Sequence, residues 1–109
     1  MSKTAAELLA EANAQIETVS PKVAAEHVAA GDATLLDIRE PVEWEHHIGG
    51  AIQIPRGTLE WFADPESPRH HPGLDPSREV IVYCRTGGRA ALATATLRTL
   101  GFEKAVNLE

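Results

Sequence analysis

The sequence predicts an α/β domain: a short parallel β-sheet flanked by helices on both faces, with an extra helix at the N-terminus. Three observations predict it. Val80, Ile81, Val82 and Tyr83 form a continuous apolar, largely β-branched run, the pattern of a strand covered on both faces. Gly87-Gly88 follows closely, and Ala90, Ala93, Leu97 and Leu100 then recur at helical spacing as a narrow apolar stripe, with Gly101 as a left-handed stop. Upstream, Thr34–Ile38 is another short apolar strand preceded by a helical segment, so helices and strands alternate as they do around a parallel sheet.

Taken in order, residues 4–16 read as a helix with Ala5, Leu8, Leu9, Ala12 and Ile16 on one face and Glu7, Glu11 and Gln15 off it. Glu17-Thr18-Val19 reads as a short edge strand. Residues 1–18 are thus expected to be a helical extension on a domain formed by 19–109. Ser20-Pro21 is a cap with proline at the first helical position, and the helix it starts ends at Gly31. After the Thr34–Ile38 strand, Glu40-Pro41 breaks the run and Trp44 is expected to fold back into the core. Ala51–Pro55 reads as a third strand, and Arg56–Phe62 as a short helix whose aromatics dock on the core. The proline-rich stretch from Ala63 to Arg78 reads as an irregular surface loop that overhangs the cysteine loop described below. Phe102 anchors a turn, and Ala105–Leu108 makes the last strand.

Bulk properties exclude several function classes. At 109 residues the chain is one domain with a modest core. A net charge of -6 argues against nucleic acid and against anionic membrane surfaces as partners, so any anion site must be local. A single cysteine excludes an internal disulfide and suits a reducing compartment. With no apolar run of membrane-spanning length and acidic residues near the start, the expected location is the cytoplasm.

The chemistry concentrates where the Val80–Tyr83 strand meets the helix after it. Cys84 stands at the strand's carboxyl end, and the loop from Arg85 through Thr86, Gly87 and Gly88 to Arg89 can turn its amides and the positive end of the helix dipole toward one small volume. Gly87 and Gly88 permit the positive φ that such a concave loop needs, and Arg85 and Arg89 add positive charge. A thiolate at Cys84 is stabilised there and nucleophilic. Asp37 and Arg39, delivered to the same sheet edge by the other strand, form a supporting shell. Asp37 is positioned to accept from the cysteine loop or Arg89, and Arg39 to pair with Glu40 or Glu43. The adjacent histidines at 46–47 lack metal-ligand spacing, so no metal is expected, and His70-His71 is expected to face water.

The stretch VYCRTGGRAALA closely resembles the active-site loop of rhodanese-type sulfurtransferases. LLDIREPVEW and HIGGAIQIP resemble two further segments of that family, in the family's order, so the resemblance covers most of residues 20–108. His47 falls on the family's histidine and Gly49 where the family often has proline. Phosphatases also pair a cysteine with an arginine across an oxyanion, but with one residue more between them than the four that Cys84 and Arg89 enclose. The resemblance implies a single-domain sulfurtransferase of the thiosulfate (rhodanese) type. It moves sulfane sulfur from thiosulfate or a similar donor to cyanide or a thiol through a Cys84 persulfide, in ping-pong fashion and without metal or organic cofactor. Its partners are then a small-molecule sulfur donor and a thiophilic acceptor; the alternative is a persulfide relay or binding module acting on a protein partner. The glycines and helix with which relatives continue are expected to be missing after Glu109.

Overall fold

The computed structural model describes residues 2–109. Its centre is β4 (Glu79–Tyr83), whose Val80, Ile81 and Val82 have no solvent exposure. Because side chains alternate across a strand, Val80 and Val82 enter one core and Ile81 and Tyr83 another, and helices must cover both faces. β2 (Ala33–Asp37) pairs with β4 along its whole length, Leu36 beside Val82 and Asp37 beside Tyr83, so the two strands end at the same rim. β5 (Ala105–Leu108) lies on the other side of β4, and the two-residue strands β1 (Thr18–Val19) and β3 (Ile52–Gln53) close the edges. All pairs are parallel, in the order β1-β5-β4-β2-β3.

α2 (Pro21–Ala29) covers the face of Leu35, Ile81, Tyr83 and Val106, placing Ala24 among them; Ser20 Oγ accepts from Val23 N at 3.2 Å to start it. α3 (Leu59–Ala63) and α4 (Gly88–Thr99) cover the opposite face. The stripe expected on α4 is present, with Ala90, Ala93 and Leu97 fully buried and Leu100 packed beside them. Thr94 joins them in the interior by donating its hydroxyl to Ala90 O at 2.7 Å.

α1 (Ala5–Gln15) is opened by a capping box in which Thr4 Oγ1 accepts from Glu7 N and Glu7 Oε1 accepts from Thr4 N, both at 3.0 Å. It packs on α4, outside the layer that touches the sheet. For that reason its apolar face is only partly covered: Ala12 is buried, and Leu8 remains 47 % exposed.

Three local expectations are corrected. Trp44 does not enter either core; the 3-10 turn Pro41–Glu43 holds it half-buried at the rim, with Nε1 enclosed and without a partner among the described residues. Only one side of the short α3 faces inward. Leu59, Phe62 and Ala63 share it at helical spacing, whereas Trp61 is off that side and 55 % exposed. The loop of residues 64–78 is tied away from the cysteine loop. His71 N donates to Phe62 O at 2.8 Å, Arg78 Nη2 donates to Gly31 O at 2.8 Å, and Leu74 is fully buried in the α3–α4 core. No described helix is long and apolar enough to cross a membrane.

Candidate active site

Cys84 is the first residue past β4 and lies half-buried against the α3–α4 core. The chain then turns through Arg85 and Thr86, both exposed, to Gly87, which takes φ +89° as the N-cap of α4. A left-handed residue at this point reverses the peptide plane before the helix begins, and glycine adopts it without a Cβ penalty. As a result the Cys84 Sγ accepts from two main-chain amides, Gly87 N at 3.1 Å and Ala90 N at 3.3 Å. The sulfur therefore sits over the first turn of a twelve-residue helix, where orphan N–H groups and the helix dipole favour negative charge.

The charged residues at this rim are partnered differently from the sequence expectation. Arg89 does not reach Asp37. It forms a bidentate pair with Glu43, Nη1 to Oε1 at 2.7 Å and Nη2 to Oε2 at 2.9 Å. Glu43 Oε1 also accepts from Glu40 N at 3.0 Å, which fixes the carboxylate to its own turn. Arg39 pairs with neither Glu40 nor Glu43. It folds back on the end of its own strand, where Asp37 Oδ1 accepts from its N and Nε at 3.0 Å and Asp37 Oδ2 from its Nη2 at 2.8 Å. Arg39 Nη2 also donates to His46 O at 2.7 Å, and its guanidinium lies 5.7 Å from the centre of the Tyr83 ring. Tyr83 Oη accepts from Ile48 N at 3.2 Å. Asp37, Arg39 and Tyr83 thus hold the segment from Arg39 to Ile48, and that segment presents Glu43 to Arg89. Arg85 forms no ion pair among the described residues.

These contacts set the protonation states. The Arg89 hydrogen bonds, helped by the Glu40 amide, bring the Glu43 carboxyl down to about 2, and Glu43 in turn raises Arg89 further above its ordinary value. Burial pushes the Asp37 carboxyl up, but the hydrogen bonds and charge of Arg39 outweigh it and leave Asp37 below its usual range. Burial raises the Tyr83 hydroxyl.

Of the sequence-selected residues, Cys84, Gly87 and the start of α4 come together on one sulfur atom. Arg85 and Thr86 form its open side, and Gly88 and Arg89 begin the helix. Asp37 and Arg39 stand one layer out. Glu43 is the rim residue whose partner the sequence misassigned. On the β1–β5 side, a cleft of about 300 Å³ opens between Thr86–Gly88 and Asn107–Glu109. A larger one of about 650 Å³, near His27, Glu79 and Lys104, belongs to the opposite end of the sheet. No group of three or more His, Cys, Asp or Glu side chains converges as a metal site among the described residues.

Residues 20–109 match the rhodanese-like domain family. The chain is similar to the probable adenylyltransferase/sulfurtransferase MoeZ of Mycobacterium tuberculosis, 34 % identical over 94 residues that make up 84 % of this chain and 22 % of MoeZ. It therefore spans about a fifth of that relative's length. Among solved structures it is similar to the human single-domain sulfurtransferase TSTD1, with TM-score 0.73 and 31 % identity over 84 % of this chain and 87 % of that one. It is also similar to RPA3614 of Rhodopseudomonas palustris, a protein of unknown function described as a possible tyrosine phosphatase, with TM-score 0.89 and 32 % identity over 100 % of this chain and 86 % of that one.

Proposed function

This chain belongs to the rhodanese-like domain family, and from that premise we propose that it transfers sulfane sulfur from thiosulfate or a similar donor to a thiophilic acceptor through a persulfide on Cys84. The observation that carries the proposal is the pair of amides, Gly87 N and Ala90 N, directed at the Cys84 sulfur. Donors fixed at the place where negative charge must reside cost no reorganisation during reaction, and in a partly enclosed site they count for more than in water.

In the first half-reaction the Cys84 thiolate attacks the outer sulfur of the donor. A new S–S bond forms, the donor's own S–S bond breaks, and its electron pair leaves with sulfite or a thiolate. The terminal sulfur on Cys84 keeps one negative charge, and the loop amides from Arg85 to Arg89 surround it. Arg85, exposed and without an ion pair among the described residues, receives the departing anion. In the second half-reaction cyanide or a thiol attacks the terminal sulfur and the Cys84 thiolate leaves, which gives ping-pong kinetics. Asp37 and Arg39 act as a supporting shell through the turn they hold. The chemistry needs no metal or organic cofactor, since Cys84 carries the sulfur itself.

The description of RPA3614 as a possible tyrosine phosphatase raises a competing reading, hydrolysis of a phosphate ester. A phosphate needs an arginine free to span two of its oxygens, and Arg89 spends both terminal nitrogens on Glu43. With one residue fewer than a phosphatase loop, the ring suits a single sulfur better than a phosphoryl group.

The test is the intact mass of the protein after thiosulfate and after a persulfidated protein, each against Cys84→Ser. Gain of one sulfur from thiosulfate, absent in Cys84→Ser, is expected. Loading only from the persulfidated protein would assign the relay role. Full cyanide-dependent turnover in Cys84→Ser would refute the persulfide mechanism.

A further inference from the structure

Resting on that sulfur-transfer reading, we propose that Glu43 is a specificity-determining residue: by binding both terminal nitrogens of Arg89 it removes one of the loop's two cations from the donor site and biases the enzyme toward persulfide donors over the thiosulfate dianion.

The geometry leaves Arg89 little freedom. Its Nη1 and Nη2 each meet one oxygen of Glu43, at 2.7 and 2.9 Å, and the carboxylate is anchored in turn by the Glu40 amide at 3.0 Å. Such a fork-to-fork pair takes up the groups that would otherwise receive an oxyanion. Arg85 remains as the loop's unpaired guanidinium among the described residues. With Cys84 ionised, the formal charges of Cys84, Arg85, Arg89 and Glu43 cancel, and Glu40 adds a further negative charge close to Arg89. An arriving dianion therefore meets a site with no net positive charge.

The two donor classes differ in the number of charges that the site must accept. Thiosulfate brings two and releases sulfite with two. An alkyl persulfide with an uncharged tail brings at most one, on the outer sulfur that is transferred, and releases one thiolate. In both cases the Cys84 thiolate forms a bond to the outer sulfur as the donor's S–S bond breaks, so the electron count is the same. Only the charge held at the rim distinguishes them, and Glu43 sets that charge without touching the reacting atoms.

The experiment compares kcat/KM for thiosulfate and for 2-hydroxyethyl persulfide in the parent, Glu43→Gln and Glu43→Gln/Arg89→Gln. In Glu43→Gln the freed guanidinium should raise kcat/KM for thiosulfate about tenfold, the size expected of one unit charge acting through a partly solvated rim. The value for the persulfide should change by less than about threefold on the same argument. The thiosulfate rate of Glu43→Gln should also fall more steeply with added salt than the parent's. The double variant has no guanidinium left to free, so the thiosulfate gain of Glu43→Gln over the persulfide should be absent from it. Equal changes for both donors in Glu43→Gln, or the same thiosulfate gain in the double variant, would overturn the proposal by showing that the effect is not that of a freed Arg89. If Glu43→Gln does not fold, Glu43→Ala takes its place in the comparison. Failure of both donors to load Cys84 in the parent would instead refute the sulfur-transfer reading.

Discussion

Asp37 and Arg39, two residues apart at the carboxyl end of β2, hold each other through three hydrogen bonds. Asp37 is fully buried and the Arg39 side chain is 12 % exposed. Removing one partner of a buried pair leaves the other charge uncompensated, so Asp37→Asn should destabilise the domain by about 3 kcal/mol. The Asp37 carboxyl lies below its ordinary 3.8 in the folded state. The stability it contributes is fully present above 3.8 and is lost as pH falls below it. Urea unfolding of parent and variant across that range checks this: the difference between them should shrink in acid. A difference that does not change with pH would mean that the carboxylate charge is irrelevant to the fold.

Glu43 makes the same kind of claim at the protein surface. Its carboxyl is held at about 2 by the Arg89 hydrogen bonds, against an ordinary value of 4.5. What the ion pair contributes is therefore complete above 4.5 and disappears as pH falls through about 2. The carboxyl carbon resonance of Glu43 should titrate near the lower value in the parent and move back toward 4.5 in Arg89→Gln. An unshifted midpoint in both proteins would place the two side chains apart in solution.

Gly87 is where backbone conformation and chemistry meet. At φ +89° a Cβ would have ample room, its nearest neighbour being Asn107 Nδ2 at 3.9 Å, so the obstacle to substitution is the dihedral and not crowding. Gly87→Ala should cost about 1–2 kcal/mol of stability. Any relaxation of φ turns the Gly87 amide off the sulfur. Loss of one hydrogen bond to a charged group slows sulfur loading of Cys84 by about tenfold or more. Gly88→Ala provides the control, because Gly88 has an ordinary φ and nothing within 4 Å of its Cβ position. It should keep both stability and loading rate. Equal behaviour of the two variants would show that the left-handed turn does not aim the amide.

The sequence discloses the cysteine loop and conceals its electrostatics for a physical reason. Strand, glycine turn and helix from Glu79 to Gly101 are contiguous, and local rules of burial period and capping fix where Cys84 must stand. Glu43 and Arg89 lie 46 residues apart, and Asp37, Glu40 and Glu43 all compete for the arginines at one rim. Only the packed geometry selects among those pairings. Trp61 lies one step of helical phase off the inward side of α3, which a five-residue helix is too short to reveal. The buried Leu74 is a single apolar residue among prolines and histidines, with no period to mark it.

We propose that residues 1–18 form an extension on a domain of residues 19–109. Its helix, α1, lies outside the family-matched segment, which begins at residue 20. Ala12 is its one buried helical residue, 5 % exposed against α4. A carboxylate placed there has no partner, and burying it costs more than the docking of a short helix contributes, so Ala12→Asp should release α1 instead of forcing the charge inside. An eleven-residue helix without tertiary support is marginal in water. Hydrogen exchange should therefore show loss of protection confined to α1, while β4 and α4 keep theirs and Cys84 still takes up sulfur. If exchange accelerated across β4 as well, or if loading failed, α1 would be an integral part of the domain and the division at residue 18 would have to be abandoned.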